Sequence, residues 1–401
     1  MARPRLLAAR PPAPASRCGG WWSNRRVRAY FYQAAVLGGV VLLAAYLIDN
    51  TLANLERRSI ATGFGFLGRE AGFGIGESPI DYGPADTYLR ALSVGLLNTL
   101  KVSLFGIVLA TLVGTLAGIA RLSHNWLIAR LAGVYVEGLR NIPLLLQLFF
   151  WYALITETLP LPRDALNPLP GVYLSTRGLR LPAPLWETTH LAMLAAFLGG
   201  CLATWLLGRW ARRRQERAGR VFPVFRVGLA LILVPTLVVY LLGGAPDALS
   251  MPELRGFNFT GGLAVSPELA ALLIGLVLYT GTYIAEIVRG GILAVSHGQT
   301  EAGLALGLRR GQVLRLIVLP QALRVIIPPL TSQYLNLIKN SSLAVAIGYP
   351  DLVSVANTAI NQTGQAVEGV AILMGVYLTI SLSISLLMGW YNQRSALQGQ
   401  R

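Results

Sequence analysis

The stretch EAGLALGLRRGQVLRLIVLPQALRVIIPP, residues 301–329, is too polar to cross a bilayer and too regular to be a linker. Leu304, Leu308, Val313 and Leu316 form a partly apolar face, with Arg309, Arg310 and Arg315 off it. That pattern across 301–317 predicts a short amphipathic helix followed by a turn. Gly303, Gly307 and Gly311 each cost ~1 kcal/mol of helix stability against alanine. In exchange, small residues let another surface approach closely. Pro320 is expected to end the element and return the chain to an apolar phase.

On both sides of this stretch the chain is strongly apolar. Of 401 residues, 54% are hydrophobic and 13% charged, with mean hydropathy +0.55; roughly a quarter charged is usual for globular chains. Apolar runs recur at about the 20-residue length that crosses a bilayer core. Eight spans are predicted, at 30–48, 89–119, 132–155, 186–207, 224–242, 268–294, 330–348 and 370–391. The seventh is diluted by Thr331, Ser332, Gln333, Asn336, Lys339, Asn340, Ser341 and Ser342. The expectation is an all-α integral membrane protein. The N-terminus lacks an apolar stretch before residue 29, so the first span is read as an uncleaved anchor.

The net charge of +16 raises the possibility of a nucleic-acid or anionic partner. Its distribution points to topology instead. With the N-terminus inside, the inner segments hold 21 basic and 2 acidic residues, and the outer segments 7 basic and 12 acidic. Positive charge favours the cytoplasmic side, so both termini and residues 301–329 are expected in the cytoplasm. No nucleic-acid-binding pattern is present, and nucleic acid is excluded as a partner. The basic loop 208–220 (GRWARRRQERAGR) reads as a topology signal, or as a contact for anionic membrane lipid. The outer loop 49–88 is rich in Gly, Phe and acid. It reads as a solvated loop or a landing place for a soluble partner.

Cys18 and Cys201 make neither a disulfide framework nor a metal cluster. His124, His190 and His297 are scattered without ligand spacing, and no catalytic triad or zinc motif occurs. No catalytic or metal site is expected. A phosphate-cradling loop needs Gly-Lys-Ser/Thr, and this chain has no Gly-Lys dipeptide.

Residues 301–329 resemble the cytoplasmic signature of ABC importer permeases: Glu-Ala-Ala, three residues, Gly, nine residues, Ile, one residue, Leu-Pro. Glu301, Ala302, Gly303, Gly307, Ile317, Leu319 and Pro320 match every spacing, with Gly303 in place of the second alanine. Residues 279–292, 319–324, 337–343 and 137–147 narrow the resemblance to the polar amino-acid permease family. The loop 49–88 and the insertion 156–265 are similar to those of its general L-amino-acid subgroup. Family members often carry Asp where this chain has Asn340.

The resemblance implies a type I importer fold with an ATPase-docking loop at 296–329. Around it lie a basic tail 1–29, a first span with its outer loop at 30–88, and a permease core at 89–155 and 266–392. The insertion 156–265 adds two spans, and a tail 393–401 closes the chain. The implied partners are two ATP-binding subunits carrying ATP and Mg, a second permease subunit and a periplasmic amino-acid-binding protein. The implied setting is a bacterial inner membrane. The chain itself would bind no cofactor.

Ionisable residues inside spans cost ~2.5–3.5 kcal/mol on insertion scales, so each asks for a partner or a task. Lys339, with Asn336, Asn340, Ser341 and Ser342, forms a polar break in span seven. It reads as part of a substrate path meeting a carboxylate near the midplane, or as a structural pin. Asn98, Thr99 and Glu286 are further path candidates. Glu137 with Arg140, and Glu286 with Arg289, are spaced i, i+3. They read as local ion pairs, or as gating pairs that exchange partners between helices. The reading from another class is a self-contained secondary transporter or channel; a membrane-bound enzyme lacks a catalytic constellation.

Overall fold

Hydrocarbon offers the backbone no water to bond to, so apolar runs close their hydrogen bonds internally as helices. The computed structural model follows that rule, and it describes residues 25–57, 62–185, 187–219, 222–244 and 249–397. Most of the predicted N-terminal tail, with Cys18, lies outside the described residues, as do Arg220 and residues 398–401.

Helix α1 covers Arg25–Arg57, α2 Tyr88–Ala120, α3 Trp126–Arg140 and α4 Leu144–Thr158. Then follow α5 (Thr188–Ala218), α6 (Val224–Leu242), α7 (Pro267–Leu293), and the short α8 (His297–Ala305) and α9 (Arg310–Val313). A π turn, Leu314–Val318, joins α9 to α10 (Leu319–Asn340), and a 3-10 stretch, Ser341–Ile347, leads toward α11 (Leu352–Thr363) and α12 (Ala366–Leu397). Among the described residues, seven helical stretches are long and apolar enough to cross a membrane, or eight if the bent α3–α4 pair counts as one.

Two expectations need correction. The third span, predicted as continuous over 132–155, is broken: α3 and α4 meet at 104°. Pro143 has no N–H to continue the ladder and biases its predecessor away from helix. Buried Gln147 mends the break, its Nε2 donating to the carbonyls of Leu139 (2.8 Å) and Ile142 (3.0 Å). The second correction concerns Pro320, which does not end an element. It sits in the first turn of α10, just after the π turn. A π turn widens the helix locally, which relieves the clash a proline ring makes with the preceding turn. The continuous helical stretch that contains the predicted seventh span therefore starts earlier than 330, at Arg310. Lys339 falls in the last turn of α10.

The core is organised around α7, which packs on α2, α3, α4 and α10. Leu272, Leu276 and Ile284 on α7 are fully buried. Membrane helices pack closest where residues are small, and α2 supplies two such places. A Cβ on Gly114 would stand 2.6 Å from Ile284 Cβ and 2.7 Å from Gly281 O, and one on Gly118 would stand 2.6 Å from Ala285 O. Residues 62–87 fold back on the core, with Phe66 and Ala71 buried against Tyr88 and the start of α11.

Within 156–265, α5 and α6 pack chiefly on each other, with Thr204 Oγ1 donating to Gly228 O at 3.1 Å. A small β-module, unforeseen in the all-α expectation, flanks this hairpin. Its strands are β1 (Leu166–Leu169), β2 (Val172–Ser175), β3 (Gly178–Leu181), β4 (Ala183–Pro184), β5 (Leu249–Ser250), β6 (Glu253–Arg255), β7 (Asn258–Thr260) and β8 (Leu263–Val265). The largest sheet is antiparallel in the order β1-β2-β3-β8. Strands of two to four residues carry too little periodicity to be read from sequence.

Asp351 precedes α11, and its Oδ1 accepts from Ser354 N at 2.8 Å as an N-cap. Burial pushes its carboxyl up to about 7, against the opposing pull of backbone N–H groups. A carboxyl raised in the folded state stabilises fully below its unfolded value near ~3.9, and that contribution is lost as pH rises through the folded value. Relative to Asp351→Asn, which keeps the cap, the melting temperature of the unsubstituted protein should fall between about pH 4 and pH 7. A pH-independent difference between the two would contradict this.

Candidate functional site

The predicted docking stretch begins two turns beyond the charged end of α7. Helix α8 ends in a Schellman turn: Leu308 N donates to Gly303 O at 3.2 Å, and Gly307 N to Leu304 O at 2.9 Å. Gly307 supplies the left-handed residue this turn requires, at φ 79. Gln312 Oε1 then accepts from Arg309 N at 2.9 Å and starts α9. Gly303 faces inward; a Cβ there would meet Ile317 Cδ1 at 2.8 Å and Val313 Cγ2 at 3.0 Å. Its place in the signature thus has a packing cause, since α8 lies directly on Val313 and Ile317. Glu301 and Ala302 point the other way and are exposed. Glu301 Oε1 lies 3.0 Å from His297 Nδ1. Leu319 and Pro320 are also exposed. Of the seven predicted docking residues, Glu301 and Ala302 form the outward edge of α8, and Gly303 and Ile317 hold it down.

The predicted gating residues converge on one residue that the sequence reading missed. Arg121, at the end of α2, pairs with Glu286 of α7, and its other nitrogen lies 3.5 Å from Glu137 of α3. Arg289 donates to Glu286 from Nη2 at 2.5 Å and from Nε at 3.1 Å. The Glu286–Arg289 local pair is present. Arg140 instead stacks over the Tyr283 ring, 5.1 Å from its centroid. Three helices are thus tied through Arg121, whose side chain is only 18% exposed. The available signal was a lone cation closing the long apolar run 89–119.

The predicted path residues separate into two groups. Asn98 and Thr99 are fully buried and hold backbone: Asn98 Nδ2 donates to Glu77 O (2.8 Å) and Pro350 O (2.9 Å), and Thr99 Oγ1 accepts from Leu352 N (3.0 Å). Ser341 is likewise buried, donating to Ile338 O at 2.7 Å. Lys339 and Ser342 line a cavity of about 290 Å³ together with Val353, Leu373, Met374 and Tyr377. Asn336 is exposed one turn before Lys339, and Asn340 is half-buried.

A bundle of candidate spans thus packs around the central helix α7, with the short exposed helix α8 set beyond its end. The chain belongs to the family of binding-protein-dependent transport system inner membrane components, whose model matches residues 106–396. It is 48% identical over 94% of its length to the general L-amino acid transport system permease protein AapQ of Rhizobium johnstonii, covering 96% of that protein. It is also 48% identical to the putative amino-acid ABC transporter permease protein YhdX of Escherichia coli, over 94% of this chain and 96% of that one. A third relative is the glutamate/glutamine/aspartate/asparagine transport system permease protein BztB of Rhodobacter capsulatus, at 40% identity over 98% and 99% of the two chains.

Proposed function

We propose that the chain is the membrane subunit of an ATP-driven importer of L-amino acids in a bacterial inner membrane. The observation that carries this is α8: an exposed helix whose Glu301 edge is free while its Gly303 edge is locked onto the chain behind it. Such a helix transmits force only if another body grips it. Two ATPase subunits carrying ATP and Mg would do so from the cytoplasm, beside a second permease subunit. A soluble binding protein would deliver solute from the opposite side. Both termini then lie in the cytoplasm, as the charge distribution favours. Closure of the ATPases drives α8 and rocks the spans between access states. Arg121, Glu137, Glu286 and Arg289 form the inner tie that must part in the inward-open state. Lys339, Ser342, Asn336 and Asn340 are the polar side chains placed to meet an amino acid's carboxylate.

Uptake by vesicles holding the full transporter tests the reading. Uptake should require both the ATPase chain and ATP, and uptake driven by an ion gradient without them would refute it. In the same vesicles Glu286→Gln should release Arg121 and let ATP hydrolysis run severalfold faster per solute carried; unchanged stoichiometry would separate the tie from gating.

A further inference from the structure

Arg209, Arg213, Arg214, Arg217 and Arg226 stand exposed at the inner end of the α5–α6 hairpin. Glu216 is the one acidic residue in 205–226. A topology signal needs charge alone, so charge does not separate it from a binding site. The placement of the side chains does.

Helices α5 and α6 fix the level of the membrane's inner edge. A Cβ on Gly200 would stand 2.5 Å from Leu231 O, and one on Gly208 would lie 3.9 Å from Val224 Cγ1. Gly208 is therefore level with the first residue of α6. That helix has 19 residues, ~28 Å at 1.5 Å per residue, close to the ~30 Å of a hydrocarbon core. Helix α5 runs on to Ala218, ~15 Å past that level. Over the shared length Leu198, Leu202, Leu206, Leu229, Leu233 and Leu237 are exposed, as side chains that face hydrocarbon are.

Two arginines are folded back toward this apolar wall. Arg209 Cζ lies 3.9 Å from the Trp205 ring centroid, and Arg214 Cζ lies 5.1 Å from that of Trp210. Both pairs are spaced i, i+4, and helical side chains lean toward the N-terminus of their helix. For α5 that direction is toward the spanning part. Phe222 braces Trp210 edge-on, with 5.4 Å between ring centroids. Neither indole is used up by packing, since Trp205 and Trp210 are 52% and 48% exposed. Tryptophan collects at membrane interfaces, and an arginine stacked on its face keeps its planar fork of donors. Two held guanidinium groups thus stand beside an exposed apolar wall, matching the phosphate and the acyl chains of one phospholipid.

We propose that the inner end of the hairpin binds an anionic phospholipid of the cytoplasmic leaflet. Arg209 and Arg214 hold its phosphate, and its acyl chains lie along α5 and α6. Arginine's fork takes phosphate oxygens two at a time. Arg213, Arg217 and Arg226 raise the local positive potential, which selects a headgroup of net negative charge over a zwitterionic one. Lipid is favoured over an acidic soluble protein because both guanidinium groups lean toward the wall. The two helices pack chiefly on each other, so the lipid supplies a hold on the hairpin that contacts with the core do not.

The test titrates the full chain in mild detergent with fluorescent phosphatidylglycerol, and counts retained lipid by native mass spectrometry. The unsubstituted chain should bind phosphatidylglycerol about tenfold more tightly than phosphatidylcholine. Arg209→Gln combined with Arg214→Gln should weaken phosphatidylglycerol binding roughly tenfold. A second variant, Trp205→Ala with Trp210→Ala, keeps every charge, and with it the topology signal and the general attraction of the patch. It should still weaken binding roughly fivefold, because the guanidinium groups lose their supports. Unchanged affinity in the tryptophan variant would overturn the proposal and leave the arginines as a topology signal. Displacement of the lipid by inorganic phosphate would also overturn it, by assigning the arginines to a soluble anion. Equal affinity for the two lipids would do the same, by reducing the contact to its apolar part.

Discussion

Gly307→Val is expected to leave the protein inserted in the membrane while lowering ATP-driven uptake at least tenfold. The reason is local. Gly307 holds φ 79 between α8 and α9, and a left-handed L-residue costs roughly 1–2 kcal/mol, with β-branched side chains worst placed. No atom stands within 4 Å of a Cβ built there, so crowding plays no part and the effect is conformational. Relaxing the strain means giving up the bonds from Leu308 N to Gly303 O and from Gly307 N to Leu304 O, which fix the direction of α8. Insertion depends on the spans, which this turn does not touch. Gly307→Asn should retain most activity, because Asn tolerates the left-handed region. Uptake and membrane abundance measured together would decide; wild-type uptake by the valine variant would show that the turn's geometry is not needed for coupling.

Gly114→Leu should have the larger effect on the fold itself. At this point α2 lies against backbone, with Gly281 O 2.7 Å and Ile284 Cβ 2.6 Å from the absent Cβ. Neither atom can rotate aside, so the two helices must separate along the centre of the core. Overpacking typically costs 1–3 kcal/mol, and a backbone obstacle puts this case at roughly 3 kcal/mol or more. Gly106 on the same helix provides the contrast. Its Cβ would meet Leu337 Cδ2 at 3.1 Å, the movable end of a side chain, so Gly106→Ala should be tolerated. The check is the yield of monodisperse protein in detergent and its melting curve. Equal behaviour of the two variants would mean that the α2–α7 contact is less central than its geometry indicates.

The spans were legible because hydrocarbon imposes one simple requirement, and the sequence meets it with long apolar runs. The family resemblance was legible because Glu301, Gly307, Ile317, Leu319 and Pro320 keep fixed spacings. What stayed hidden has physical causes. The buried residues Val313, Val318, Ala322, Ile326 and Leu330 are spaced five, four, four and four, and the first step is the π turn. A reading based on 3.6 residues per turn loses phase there, which is why Leu316 was assigned to the apolar face although it is 61% exposed. Pro143 was visible in the sequence, but hydropathy alone does not register a bend. Arg121 was counted only as an inner positive charge, because its partners Glu137 and Glu286 are distant in sequence and local spacing cannot join them.

The pairing of β3 with β8 also bears on how the insertion was accommodated. Leu181 and Leu263 face each other across that ladder, so the chain leaves the core and returns to it at adjoining points. Everything between them is a loop closed at its base. Closure entropy grows only logarithmically, by about 0.6 kcal/mol for each doubling of length, and the core experiences little beyond the two fixed ends. A two-residue turn joining β3 directly to β8 would satisfy the same boundary condition. Lengthening, shortening or exchanging this excursion, α5 and α6 included, is therefore nearly neutral for the packing of α2, α7 and α10, leaving the segment free to diverge while that core is held constant.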